Sequence, residues 1–114
     1  MPIESAIETL ETICPNVIRQ GSMAPTEAYP DQFITYWVAD SADQNHYDNA
    51  AAATVWEMDV NYYSIDPLET YSALAKAKDS LQASGWIISG KGHDVASDVT
   101  THQGRGFTAL YLET

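Results

Sequence analysis

The chain is short of positive charge. Five Lys and Arg residues stand against sixteen Asp and Glu in 114 residues, a formal net charge of −11 at pH 7. Such a surface repels a phosphate backbone, and the five cations, Arg19, Lys76, Lys78, Lys91 and Arg105, are too scattered along the sequence to mark a nucleic-acid groove. Sequence-specific nucleic-acid binding is therefore not expected; a basic partner, or a surface that DNA slides past, fits better. Cysteine is nearly absent too: Cys14 stands alone, which rules out an internal disulfide and speaks against a secreted, disulfide-stapled framework. No apolar run approaches the ~20 residues that span a bilayer. The chain also opens on no basic-then-apolar leader, so neither membrane insertion nor export is expected, and the cytoplasm is the default place of synthesis.

What is present points to a packed core. A hydrophobic fraction of 45%, with seven Tyr, three Trp and two Phe, is too rich for a disordered chain. A chain of 114 residues is the size of one domain, able to bury roughly 65% of the surface its unfolded form exposes. We therefore read residues 1–114 as a single domain.

Residues 3–14 place Ile3, Ile7, Leu10, Ile13 and Cys14 at three- and four-residue steps, with Glu4, Glu8 and Glu11 on other faces and Pro15 as a stop; this predicts an amphipathic helix. Residues 20–31, with Gly21, Pro25 and Pro30, read as a loop. The aromatic and β-branched residues at 33–39 predict a strand, and the Asp- and Asn-rich residues 40–49 a long hairpin loop. From Thr54 a second strand alternates Trp56, Met58, Val60 and Tyr62 with Glu57, Asp59 and Asn61, giving one buried and one acidic face. Asp66-Pro67-Leu68-Glu69 is a helix start: a capping carboxylate, a proline where a missing donor costs nothing, and a glutamate placed for a capping box. That helix is expected to bury Leu68, Tyr71, Leu74, Ala75 and Leu81 and to end at Gly85. Residues 86–89 read as a short strand, 90–106 as a long excursion, and 107–112 as a closing strand. The expected fold is α+β in the order α-β-β-α-β-β, two helices packed on one face of a four-stranded, mainly antiparallel sheet.

Few residues suggest chemistry. His93, Asp94, Asp98 and His102 share one segment and could ligate a divalent metal, yet their spacing matches no metal motif, and a solvated loop with turn-capping Asp and His is the plainer reading. His46 with Asp48 lacks a nucleophile or an orienting partner. Gly90-Lys91-Gly92 and Gly104-Arg105-Gly106 do not lead into helices as phosphate loops do, and read as the base of a flexible hairpin arm. Cys14 reads as a small buried residue. No catalytic residue, metal or cofactor is expected. The aromatics Tyr36, Trp37, Trp56, Tyr62, Tyr63 and Trp86 are mostly core, but residues 33–38 carry large apolar groups on both faces, which suits burial by helices on one side and by a neighbouring subunit on the other.

Taken in order, the short helix, Phe33-Ile34-Thr35-Tyr36-Trp37, Trp56-Glu57-Met58-Asp59-Val60-Asn61-Tyr62-Tyr63-Ser64, the Asp66-Pro67 helix start, Gly85-Trp86 and the closing His102-Gln103-Gly104-Arg105-Gly106-Phe107-Thr108 block through Tyr111 form a familiar pattern. It resembles the small tail-terminator or tail-completion proteins of long-tailed bacteriophages and prophages, sometimes grouped with minor capsid or head-tail joining proteins. The likeness runs from about residue 33 to 113. It implies a non-enzymatic virion protein, an α+β subunit made in the bacterial host cytoplasm that forms a ring, commonly a hexamer, where the tail meets the head, in contact with tail-tube and neck proteins. A negatively charged lumen would let the genome slide, in keeping with the −11 charge.

The residues expected at interfaces are Phe33, Tyr36, Trp37, Glu57, Asp59, Lys91 and Arg105, with residues 40–49 and 90–106 as contact arms. The alternatives are a head-tail connector or tail-tube component, an acidic protein-binding module using Glu57 and Asp59, and an enzyme or metal protein built on His93, Asp98 and His102.

Overall fold

The structure, a computed structural model, describes residues 2–19, 30–47, 50–96 and 101–113, the side chains of 40–53 excepted. Helix α1 spans Pro2–Glu11 and buries Ile3, Ala6 and Leu10. It stops one turn earlier than the apolar spacing predicts. The Thr12 hydroxyl donates to the Thr9 carbonyl at 2.6 Å, and the amides of Ile13 and Cys14 both turn back to the Leu10 carbonyl at 3.0 Å. Cys14 still reaches the core, fully buried, from the turn that follows.

The sheet has six strands rather than four. Strand β1, Val17–Arg19, pairs parallel with β2, Gln32–Tyr47, in the register Val17↔Ile34, which makes the sheet mixed. Three residues are too few to show an alternation, so nothing in the sequence marked them. Strand β2 and strand β3, Ala50–Ser64, form a long antiparallel hairpin from Gln32↔Ser64 out to Tyr47↔Ala50. Residues 40–47, expected in a loop, are therefore strand, while the expected loop at 20–31 falls almost wholly outside the described residues. Backbone pairing with the facing strand overrides the polar composition of 40–47, because strand propensity is set largely by cross-strand context. The ladder shifts between Val38 and Asp40, a bulge that leaves Ala39 as the extra residue of β2.

Strand β6, Gln103–Glu113, lies along the other edge of β3, from Ser64↔Gln103 to Thr54↔Glu113. Its far edge is shared by two short strands: β4, Ile87–Ile88, opposite Leu110 and Ala109, and β5, His93–Val95, opposite Gly106 to Gly104. The expected excursion at 90–106 thus contains a strand and the start of β6. The sheet runs β1-β2-β3-β6-β4, with β5 beside β6, and the element order is α-β-β-β-α-β-β-β. Because β6 pairs β3 only from Thr54 onward, residues 44–47 of β2 and 50–53 of β3 pair with each other alone, as a two-stranded arm beyond the end of β6. The radius of gyration, 15.1 Å, exceeds the about 13 Å of a compact chain of this length accordingly.

Helix α2, Pro67–Ala83, begins as its sequence dictates. Asp66 accepts the Leu68 amide at 3.0 Å, Pro67 occupies the first turn, and Gly85 closes the helix at φ +100. Its buried face is Thr70, Ala73, Leu74, Ala77 and Leu81, rotated from the expected stripe; Leu68 and Tyr71 are exposed. Both helices cover one face, where Ile34, Met58, Val60, Tyr62 and Phe107 complete the core. Each fully buried side chain of this size contributes about 1.5–3 kcal/mol of transfer free energy. No helix among the described residues is long and apolar enough to cross a membrane.

Candidate interaction surface

Two helices on one side leave the other side of the sheet bare, and register fixes what stands there. Trp37 of β2 is opposite Asp59 of β3, which is opposite Thr108 of β6; one step along, Glu57 is opposite Leu110, and Leu110 opposite Ile87 of β4. These residues are out of phase with the core residues Met58, Val60 and Ala109 and so point away from the helices. Trp37 is 45% exposed, Ile87 62%, Leu110 37% and Leu112 54%. The face therefore carries large apolar groups around two carboxylates. Asp59 accepts from the Thr108 hydroxyl at 2.9 Å, and the Arg19 guanidinium lies 5.9 Å from the Trp37 ring centroid. A shallow cavity of about 360 Å³ opens between Trp37, Asp59, Asn61, His93, Val95 and Thr108.

The expected interface residues divide between locations. Trp37, Glu57 and Asp59 share the bare face. Tyr36 packs against the core on the opposite side, and Phe33 is buried, stacked on Tyr63 at 5.0 Å with His102 at 5.6 Å. Arg105 belongs to the helix side, at the β5 end, and Lys91 lines cavities on both sides of the sheet there. There the two Gly-cation-Gly motifs meet: Arg105 donates to the carbonyls of Lys91 and Gly92 at 3.2 Å and to Asp94 at 2.9 Å, and its guanidinium stacks 4.6 Å over Tyr71. Gly92 is at φ +89, and a Cβ there would lie 2.7 Å from the Gly106 carbonyl oxygen, so the close approach requires glycine.

The histidines separate. His102 is buried, its Nε2 bonded to the Pro30 carbonyl at 2.8 Å and its Nδ1 to the Thr101 hydroxyl at 3.0 Å, whereas His93 is exposed on β5. Asp98, Asp48 and the His46 side chain lie outside the described residues. Among those described, no three His, Cys, Asp or Glu side chains gather as a metal site. Burial pushes the Cys14 thiol up. The Tyr62 phenol is pushed up to about 12, first by burial and then by the negative charges that Cys14, Glu69 and Asp66 can carry nearby; it donates to Gln32 at 2.6 Å.

Set against protein-family models and against curated protein sequences, the chain matches none. Ile87, Leu110 and Leu112 were absent from the expected interface. The parity of β6 carried the signal for two of them: Thr108, Leu110 and Leu112 share one phase, Phe107, Ala109 and Tyr111 the other.

Proposed function

We propose that this chain is a ring-forming structural subunit of a long-tailed phage virion, a tail terminator or tail-completion protein at the head-tail junction, acting as an assembly component and not as an enzyme. The bare sheet face carries the reading: Trp37, Ile87, Leu110 and Leu112 stay exposed around Glu57 and Asp59. Large apolar side chains left exposed among carboxylates on an uncovered sheet face suit protein–protein contact. The projecting β2–β3 arm gives a second surface able to reach a neighbour, and the sequence pattern supplies the family. Partners are further copies of the chain, six in a closed ring, with tail-tube and neck proteins above and below. The −11 charge suits a lumen through which DNA passes without adhering.

Light scattering over a concentration series, with negative-stain images, tests this. Closed rings, alone or on addition of purified tail-tube protein, are the expected result. Open stacked tubes would instead identify a tube component. A strict monomer that ignores the tube protein would overturn the proposal. It would favour an acidic module for a basic protein, which the pairing of Glu57 and Asp59 on one exposed face independently supports.

A further inference from the structure

The cations of this acidic chain are unevenly distributed in space. Three of the five, Lys78 on α2, Lys91 after β4 and Arg105 on β6, line one cavity of about 470 Å³ at the β5 end of the sheet, with Leu74, Ala75 and Phe107 as its apolar lining. Arg105 is fixed there by Asp94, by two backbone carbonyls and by the Tyr71 ring, and the Lys78 ammonium donates to the Gly90 carbonyl. Asp79 and Asp94 are the carboxylates beside them. Three cations against two carboxylates is a local excess of positive charge in a chain with five against sixteen.

The opposite end of the molecule is its electrostatic counterpart. Strand order puts β1 at one end of the sheet and β4 and β5 at the other. Helix α1 packs on α2 and β1, and exposes Glu4, Glu8 and Glu11. Spacings of four and three residues set these carboxylates along one side of the helix, where they repel one another. A cationic surface would relieve that repulsion, and the cavity at the far end is such a surface.

We infer that a second copy of this chain docks the Glu4, Glu8 and Glu11 edge of its α1 onto the Lys78–Lys91–Arg105 cavity. The contact joins two different surfaces, so it is head-to-tail, and repetition of one such step closes into a ring when the rotation per step divides the circle. It rests on the ring proposal and adds to it which two surfaces meet. Arg105 is already held in place, so little side-chain freedom is lost on docking, and the charges steer encounter.

The test is charge reversal in the full chain, read by light scattering and sedimentation, with circular dichroism checking the fold. Lys91→Glu and Glu8→Lys each lower the association constant at least tenfold, and the doubly reversed protein, or a one-to-one mixture of the two single variants, recovers it. A chain carrying Glu8→Cys and Lys91→Cys gives an intermolecular cross-linked ladder, with Cys14 buried and contributing no background. If wild-type rings persist unchanged in both single variants, or if the double variant fails to recover association, this interface is wrong and the ring proposal stands. If the wild-type protein stays monomeric at every concentration with and without tail-tube protein, and the double-cysteine chain gives no ladder, both fall.

Discussion

His102 donates from Nε2 to the carbonyl oxygen of Pro30 at 2.8 Å, tying the start of β6 to the segment that leads into β2, 72 residues earlier. Its Nδ1 lies 3.0 Å from the Thr101 hydroxyl, and the ring packs tilted against Phe33 at 5.6 Å. His102→Ala removes the ring and a buried hydrogen bond together and is expected to lower stability by about 2–3 kcal/mol in urea unfolding. His102→Gln, which keeps an N–H donor, is expected to recover part of that loss. Equal stability of wild type and His102→Ala would show that the tie contributes nothing.

Tyr62 gives a pH dependence of known sign. Its phenol titrates near 10 when unfolded and about 12 when folded, so between these values the folded state holds more protons than the unfolded one. The Tyr62 contribution to stability is complete below pH 10 and is lost as pH rises through 12, about 2–3 kcal/mol in all. Alkaline denaturation of Tyr62→Phe is expected to show a shallower decline than wild type over that window, at some cost at neutral pH from the lost bond to Gln32.

Gly106 faces Asn61 across the β3–β6 ladder, and a Cβ there would stand 2.8 Å from the Val60 carbonyl oxygen as well as against the Asn61 side chain. Gly106→Ala is expected to destabilise by about 1–3 kcal/mol, the usual cost of overpacking, read as a lower urea midpoint with an unchanged slope.

Among the described residues, the Thr35 hydroxyl is buried without a hydrogen-bond partner. Thr35→Val keeps the shape and removes the unsatisfied group, so it is expected to leave stability unchanged or raise it by up to about 1 kcal/mol. A loss of more than that would reveal a partner for the hydroxyl in the folded protein.

The bare face separates association from folding. Trp37→Ser with Leu110→Ser is expected to lower unfolding free energy by only about 1–3 kcal/mol, because both side chains are partly exposed, while reducing self-association or tube binding at least tenfold. Unaltered assembly in a well-folded variant would remove this face from the interface.

Some of this was readable residue by residue. The Asp66-Pro67 start and the Gly85 stop depend only on local donors and backbone freedom, and both stand where the sequence puts them. Strand β3 was equally plain because one of its faces is buried and period two survives. The α2 stripe was misplaced: Leu68, Tyr71 and Ala75 are exposed, while Thr70, Ala73 and Ala77 join Leu74 and Leu81 on the inner face. The candidate surface was half legible. Trp37, Glu57 and Asp59 could be grouped by alternation within their own strands, whereas their meeting with Ile87 and Leu110 depends on which strand lies beside which.

The sequence by itself determined the chemistry of the pieces: an acidic chain with one cysteine, a core rich in aromatics, two helices with their caps, and strands whose parity separates inside from outside. Only the tertiary structure decided that residues 40–47 are strand, that Val17–Arg19 joins the sheet in parallel, and that β4 and β5 share one edge of β6. Those features are made by backbone hydrogen bonds between segments far apart in the chain, and a backbone group carries no side-chain signature of the partner it will find.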